Sequence, residues 1–365
     1  MTAIKKIRHR QPLTDSNLLL IITISIFAAM YALSMIFFGG GFLNPQQFLN
    51  LFNENASLII LACALSVVMI QGGIDISVGG ITALVSVCCA VYLEDRGGSV
   101  LGALGLALGI GLAFGLLQGL LISFLDIQPF IITLAGMFLA RGISTMVEVN
   151  PRTVKHAGFS ALREIEIRLP GIGYYAKNGN FINAKIELGV IVALLVLLAL
   201  FVVLKWSRFG RSLYAIGGGS QNALMLGINI RRTRLYSYMI CGMLSGIAGF
   251  VYLLHTGSGS VTQATGAEMK AIASSIIGGV LLTGGVGNII GTLFGVISLG
   301  TINNVVVAMG LKGPWWQGIT TGAMLCLFIV LQSIIISNRN GGSFKLALPG
   351  WFIPKKKTNE SKPPQ

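Results

Sequence analysis

The sequence Gly72-Gly73-Ile74-Asp75-Ile76-Ser77-Val78-Gly79-Gly80 lies in an apolar stretch, 56–93, in which Asp75 is the sole charged residue. A carboxylate at membrane depth is costly and marks a cavity, a partner or a pathway. The glycine pairs on both sides of Asp75 predict a broken helix, and broken helices inside a bilayer are a feature of transporters. Two interpretations of Asp75 stay open, and both can hold: it lines a substrate path, or it caps the helix that follows.

The composition places the whole chain in a membrane. Of its 365 residues, 54% are hydrophobic and only 10% are charged, whereas a soluble domain is about 25% charged. The net charge of +14 comes from tails and loops rather than from one basic patch, which argues against nucleic-acid binding. Every cysteine lies in an apolar span without a CxxC spacing, so neither a metal site nor a disulfide is expected.

Apolar runs of about 20 residues predict an all-α polytopic membrane protein with about ten transmembrane helices. The second and eighth runs are short, as expected for broken or partly buried segments. Glycine pairs at 72–73 and 79–80 resemble those at 278–279 and 284–285, which suggests that helices 2–5 and 7–10 are pseudo-repeats. The predicted spans are 18–38, 56–71, 74–93, 100–124, 129–147, 188–206, 235–254, 268–283, 288–309 and 315–337.

Basic residues predict the orientation of these spans. The amino-terminal tail 1–17, the carboxyl-terminal tail 338–365 and the loop 207–234 are rich in Lys and Arg, so all three are expected to be cytoplasmic. The transmembrane domain covers 18–337, and its long loop 148–187 lies outside, with acidic and basic residues mixed. The expected location is a bacterial cytoplasmic (inner) membrane with both termini inside.

Two glycine patterns have different meanings. Glycines at every fourth position, which let helix backbones approach closely, predict a compact bundle; they are Gly105, Gly109, Gly111, Gly115, Gly119, Gly287, Gly291 and Gly295. The run Gly217-Gly218-Gly219-Ser220 resembles a phosphate loop but lacks the Gly-Lys pair that such a loop needs.

The three histidines, His9, His156 and His255, lie in different segments of the sequence. No enzyme site is therefore expected, and any ATP is hydrolysed by another subunit.

The loop 207–234 contains a short segment that can form a helix, Gln221 to Gly227, ending at a glycine. A short rigid helix that projects from a membrane bundle is suited to docking another protein. The spacing of Ala223 and Gly227 resembles the coupling segment E-A-A-x-x-x-G of bacterial ABC importer permeases, with Gln221 and Asn222 in its first two places. Gln221, Asn222, Ala223 and Gly227 are the candidate ATPase-coupling residues.

Four segments together resemble the ribose/galactose/xylose family of ABC sugar-importer permeases over about residues 18–337. They are Gly-Gly-Ile-Asp-Ile-Ser-Val-Gly (72–79), Gln-Pro-Phe-Ile-Ile-Thr-Leu-Ala-Gly-Met-Phe (128–138), Arg-Phe-Gly-Arg-Ser-Leu-Tyr-Ala-Ile-Gly-Gly (208–218) and Ala-Ile-Ala-Ser-Ser-Ile-Ile-Gly-Gly (271–279). The run from Pro129 to Phe138 and the pair Trp315-Trp316 are most similar to permeases of galactofuranose and fructose importers. The loop 148–187 is longer than in the common family pattern, and Lys270 stands where an acid is usual.

The resemblance implies a set of partners. It implies a permease subunit for a pentose or hexose, a second permease subunit (a copy of this chain or a relative), an ABC ATPase and an extracytoplasmic sugar-binding protein. The chain itself is expected to bind no cofactor, because ATP and Mg²⁺ would bind to the ATPase. The loop 148–187, with Tyr174 and Tyr175, would meet the binding protein, and the segment 221–227 would meet the ATPase.

Six residues are candidates for the substrate path: Gln71, Asp75, Ser77, Phe130, Thr133 and Glu268. Carboxylates and hydroxyls can hydrogen-bond sugar hydroxyls, although helix capping and packing are equally open for them. Arg141, alone in its span, is expected to extend to the surface or to neutralise a buried acid such as Asp75. Glu268 and Lys270 are expected to form a local pair or to mark the water boundary.

Two rival functions also fit. An ion-coupled secondary sugar carrier would use Asp75 and Glu268 as coupling carboxylates, and it would transport without an ATPase. A sugar exporter of the same fold would need no external binding protein.

Overall fold

The computed structural model describes residues 15–39, 42–175, 181–311 and 313–339. Most of both tails therefore lies outside the described residues. The helices are α1 (Asp15–Phe38), α2 (Pro45–Asn53), α3 (Ala56–Ile70), α4 (Val78–Glu94), α5 (Val100–Phe124), α6 (Pro129–Val147), α7 (Ala157–Arg163), α8 (Leu188–Trp206), α9 (Arg208–Gly218), α10 (Ser220–Met225), α11 (Ile230–Thr256), α12 (Ala267–Ile277), α13 (Ile289–Ala308) and α14 (Pro314–Arg339). The strands are β1 (Arg152–Thr153), β2 (Glu166–Tyr175), β3 (Phe181–Glu187) and β4 (Ser258–Gly259).

The prediction of an all-helical polytopic membrane protein is confirmed. In the described part of the chain, seven helices are long and apolar enough to cross a membrane: α1, α5, α6, α8, α11, α13 and α14. The pair α2 and α3, which is bent by 51°, adds an eighth span if the two helices cross the membrane together. The shorter α4 and α12 correspond to the remaining two predicted spans, and α12 has only 11 residues.

The bundle has two ends with different chemistry. We call the end that carries the β2–β3 hairpin the hairpin end; there Asn53 donates a hydrogen bond to the Lys185 carbonyl at 3.1 Å. We call the opposite end, with α9, α10 and the arginines of α9 and of the start of α11, the basic end. Since α3 and α12 both start at the hairpin end, their last residues lie toward the basic end.

The end of α12 lies inside the bundle, where its last carbonyls need hydrogen-bond partners. Two side chains from neighbouring helices supply them: Thr23 of α1 donates to the Ile277 carbonyl at 2.8 Å, and Gln332 of α14 donates to the Ile276 carbonyl at 2.6 Å. Polar residues in otherwise apolar spans therefore terminate a short helix at depth.

The glycine pairs that suggested repeats follow the second and eighth spans, at the ends of α3 and α12. A repeat of helices 2–5 in helices 7–10 would align the second span with the seventh. The glycine pairs therefore do not support that alignment, and the pseudo-repeat stays a prediction.

The loop 148–187 has more structure than its sequence indicates. It contains α7 and the antiparallel hairpin of β2 and β3, which has a bulge between Leu169 and Gly173. The hairpin packs on α2 through Gln46 and Asn53. Strand β1 pairs with β4 and so ties this loop to the turn that precedes α12.

Glycine packing is confirmed on one face of α5. A Cβ on Gly111 would collide with the Gly242 carbonyl of α11, and a Cβ on Gly115 would collide with the Tyr238 carbonyl of the same helix. A Cβ on Gly242 would in turn collide with the backbone of α5. Close backbone approach of this kind is how helices associate in membranes. In contrast, Gly105 and Gly109 have open space where a Cβ would lie, so the same spacing on α5 covers one packed face and one free face.

Gly115→Val tests this packing. A valine side chain has to enter the α5–α11 contact, where a Cβ would already lie 2.5 Å from the Tyr238 carbonyl. We expect a loss of about 1–3 kcal/mol of stability, as is typical of overpacking. The measurement is thermal unfolding in detergent.

Gly109→Val is the matched control, because it makes the same substitution in the same helix at a position where an added Cβ meets open space. The packing account is wrong if the two variants unfold at the same temperature.

Candidate translocation and coupling site

The chain between α3 and α4, which contains Asp75, forms a buried break. Its first residues turn back on α3, with the Gly72 and Gly73 amides bonded to the Met69 and Val68 carbonyls. Asp75 Oδ1 then accepts a 2.9 Å hydrogen bond from the Ser77 amide. A carboxylate that accepts from the amide two residues on stabilises a turn and the helix start that follows it. Asp75 thus has the geometry of a residue that supports the start of α4.

A polar cluster surrounds this break, although it lies in the apolar interior. Asp75 is fully buried, and the Ser77 hydroxyl lies 2.6 Å from its Oδ1 and 3.1 Å from Oε1 of Gln118. One hydroxyl proton cannot serve both acceptors at once. Asp75 Oδ2 and Gln118 Nε2 have no hydrogen-bond partner among the described residues. Polar atoms left over in this way can hold water or exchange partners during movement.

Sequence reasoning missed three members of this cluster. Gln118 is the one amide side chain in the apolar helix α5, and that isolation was a usable signal. Cys241 of α11 lies beside the Asp75 carboxylate, and the Tyr238 hydroxyl lies 3.5 Å from the Ile74 carbonyl. No local pattern indicates that α11, far along the chain, supplies these contacts.

Glu268 approaches the Asp75 motif from the other side of α4. Its carboxylate lies where a Cβ on Gly79 would be, and its Oε2 has no hydrogen-bond partner among the described residues. Gly80 likewise faces the Met137 carbonyl of α6. The second glycine pair therefore lets α4 approach both the first turn of α12 and α6.

Arg141 has a different partner from the one expected. Its guanidinium donates to the carbonyls of Val261, Gln263 and Ala264 at 2.7, 2.9 and 3.1 Å. The expected contact with Asp75 is wrong, because three carbonyls of the turn before α12 satisfy the guanidinium instead. Arg141 anchors that turn to α6.

The expected local pair of Glu268 with Lys270 is also absent from the described structure. Lys270 instead donates to Oε1 of Gln317 on α14, at 3.3 Å.

The other candidate path residues do not gather at one place. Gln71 donates to the Ser237 hydroxyl at 2.5 Å, and Thr133 bonds within its own helix to the Pro129 carbonyl at 2.9 Å. Phe130 is half exposed on the outside of α6. The structure brings Asp75 and Ser77 together, with Glu268 nearby across Gly79, and leaves Phe130 apart.

The candidate coupling residues form the predicted short helix at the basic end. Gln221, Asn222 and Ala223 lie in α10, and Gly227 follows it at φ +76°, a conformation that suits glycine. Ala223 is buried against the bundle, whereas the apolar side chains of Leu224 and Met225 are 63% and 85% exposed. Exposed apolar side chains beside arginines are typical of a protein-docking surface.

The end of α9, just before α10, contacts the end of α3 and the turn that follows α12. A Cβ on Gly217 would collide with the Ile70 carbonyl at the end of α3 and with the Gly285 amide after α12. Those two backbone groups are themselves hydrogen-bonded, at 2.8 Å. The Tyr214 hydroxyl also donates to the Gly287 carbonyl at 2.9 Å. We call this meeting of residues 70–72, 217–218 and 284–285 the glycine junction.

The variants Asp75→Asn and Asp75→Ala distinguish the hydrogen bond that stabilises the turn from the negative charge of the carboxylate. Asparagine keeps the oxygen that accepts from the Ser77 amide, so we expect nearly wild-type stability. Alanine leaves that amide unpaired in the interior and should cost about 1–3 kcal/mol. Thermal unfolding in detergent measures both, and equal losses for the two variants would contradict the capping role.

Comparison with known proteins places this architecture in a family. Residues 47–329 match the family described as "Branched-chain amino acid transport system / permease component". An inner membrane ABC transporter permease protein of Escherichia coli is 38% identical over 316 residues, covering 87% of this chain and 92% of the relative.

Two further relatives carry the names of sugars. A ribose import permease of Bacillus subtilis is 35% identical, covering 80% of this chain and 86% of its own. A fructose import permease of Bifidobacterium longum is 33% identical, covering 79% and 83%. No solved structure matches the chain. These relatives are permease subunits rather than enzymes, and the chain belongs to their family, the ABC-transporter permeases that include ribose and fructose import permeases.

Proposed function

We propose that this chain is the membrane subunit of an ABC importer that moves a monosaccharide across the bacterial inner membrane. The observation that carries the proposal is the glycine junction, where the end of α9 touches the end of α3 and the turn that follows α12. A movement of α10 caused by another protein would therefore be transmitted directly to the buried breaks. The sugar class rests on the ribose and fructose import permeases among the relatives.

The proposed orientation puts the basic end in the cytoplasm. That end holds the arginines beside α9 and α10, and basic loops stay on the cytoplasmic side. The ATPase, which binds ATP and Mg²⁺, then docks on α10. The hairpin end faces outward and receives the sugar-binding protein on the hairpin and α2. A second permease subunit completes the pore.

When the two ATPases close around bound ATP, they would push on α10 and thereby tilt the glycine junction. Packed elements respond to such a push by switching between discrete arrangements. The breaks at 71–77 and 278–288 separate the inner ends of α3 and α12 from the helices that follow, so both ends can move with the junction. The proposed cargo is a pentose or a hexose. Galactofuranose and fructose are the specific candidates, because the run from Pro129 to Phe138 resembles permeases of importers for these two sugars.

Reconstitution in liposomes tests the proposal. Labelled ribose or fructose should enter only when the ATPase, the loaded binding protein and ATP are all present. Uptake driven by a proton or sodium gradient without ATPase would instead establish the ion-coupled carrier. Uptake of leucine in place of either sugar would instead assign amino acid import to the chain, the activity that the family description names.

The double change Leu224→Asp with Met225→Asp tests docking at α10. Two carboxylates replace the exposed apolar surface, so co-purification of the ATPase should fall at least tenfold. Met309→Asp is the matched control, because Met309 is 61% exposed at the hairpin end. Normal ATPase association in the double variant would place the docking surface elsewhere.

Gly217→Ala tests the junction itself. The added methyl group collides with the Ile70 carbonyl and separates the three segments, so transport should fall at least tenfold while the ATPase still binds. Gly218→Ala is the control, because a Cβ at that neighbouring glycine meets nothing within 4 Å. Equal transport by the two variants would remove the junction from the coupling path.

A further inference from the structure

A cavity lies at the hairpin end, between the first turns of α3 and α12 and the end of α11. We call it the outer crevice. Its volume of about 410 Å³ is within the range of about 300–1,000 Å³ that is usual for small-molecule sites. Its walls are Glu54, Asn55, Ser57, Leu58, Leu61, Tyr252, Thr262, Gln263, Ala264, Thr265, Ala267 and Lys270.

Most polar groups of the outer crevice are already engaged. Gln263 accepts from the Ser86 hydroxyl and the Ser260 amide, each at 3.1 Å, and donates to the Ser258 carbonyl at 2.7 Å. Thr265 donates to the Thr262 carbonyl at 2.7 Å. These bonds, with the Arg141 anchor, hold the turn 258–266 as a rigid wall.

Three side chains of the walls keep hydrogen-bonding capacity. Neither the Glu54 carboxylate nor the Tyr252 hydroxyl makes a hydrogen bond within the described residues. Lys270 makes a single one, to Gln317 at 3.3 Å, so two of its three N–H groups are free. Glu54 and Lys270 form no ion pair with each other in the part of the chain described, so both charges stay available to a ligand.

This set of groups fits one ligand chemistry. A carboxylate accepts hydrogen bonds, an ammonium donates them, and a phenol does both, which suits hydroxyls that are themselves donors and acceptors. One negative and one positive side chain leave no net charge to attract an ion. Leu58 and Leu61 offer an apolar surface for the C–H face of a sugar ring. The match is to a neutral polyhydroxylated ring.

The position of the outer crevice links it to the coupling machinery. Helices α3 and α12 each have one end at the crevice and the other near the glycine junction. These helices are about 22 Å and 16 Å long, from 15 and 11 residues. A shift at the junction therefore changes the spacing of the crevice walls.

We infer that the outer crevice is a binding site for a neutral monosaccharide, in which Glu54, Tyr252 and Lys270 hold the hydroxyls of sugar released at the hairpin end. The inference rests on the proposed import function and adds a site and its residues to it.

The test uses the complete transporter in liposomes, with labelled ribose or fructose, and measures both sugar delivered and ATP hydrolysed. The variant carries Glu54→Gln with Tyr252→Phe, two changes that keep side-chain size. We expect sugar delivered per ATP to fall about tenfold, the loss associated with one hydrogen bond to a charged group. Stimulation of ATP hydrolysis by the loaded binding protein should stay at the wild-type level.

The matched control carries Glu94→Gln with Tyr236→Phe, outside both the crevice and the loop 148–187, and should keep the wild-type ratio. An unchanged ratio in the crevice variant overturns the inference. A parallel fall of sugar delivery and ATP hydrolysis also overturns it, because that result indicates a role in assembly. Neither outcome affects the proposed function, which fails if wild-type uptake is of leucine or is driven by an ion gradient.

Discussion

The constraint on which this structure depends is that two helices end inside a membrane, where every backbone group needs a partner. At the end of α12, Thr23 and Gln332 bond the last carbonyls. At the end of α3, the Gly285 amide bonds the Ile70 carbonyl, so the two breaks satisfy each other. In an apolar medium, losing such a bond costs several kcal/mol, so the breaks are stable only while they remain in contact.

This mutual satisfaction gives the breaks a mechanical role. Because the last residue of α3 is bonded to the turn that follows α12, and the Gly217 backbone lies beside that bond, the three segments are positioned to move as a unit. Their outer ends form the walls of the crevice. A short displacement at the basic end therefore reaches the hairpin end through two short rigid helices, without a long chain of side-chain contacts.

Much of the fold was predictable from the sequence, because helix spans depend on local hydropathy. Each of the ten predicted spans contains a helix, and seven of these helices are long and apolar enough to cross a membrane among the described residues. The short second and eighth runs correspond to α3, which forms the bent pair with α2, and to the short helix α12. The β2–β3 hairpin was missed, because its strands carry mixed polar and charged residues without clear alternation. The free face at Gly105 and Gly109 was also missed, since spacing alone does not say which face meets a neighbour.

The candidate site was less predictable, because its contacts join distant parts of the chain. The Asp75 motif identified the break, and Gln221 to Gly227 identified α10, since both signals are local. The partner of Arg141 depends on where the turn 261–264 folds, and the glycine junction joins residues more than 60 positions apart. Glu54, Tyr252 and Lys270 are ordinary residues in sequence and become a candidate site only when α3, α11 and α12 converge.

In the proposed mechanism, movement of α10 changes the width of the outer crevice through α3 and α12. The most direct measurement is a spin-label distance between Asn55→Cys and Thr265→Cys, in a background lacking the five native cysteines, with the assembled transporter in lipid. The account predicts that this distance shifts when the ATPase is locked with a non-hydrolysable ATP analogue. A distance that stays the same in the nucleotide-free and nucleotide-locked states would contradict it.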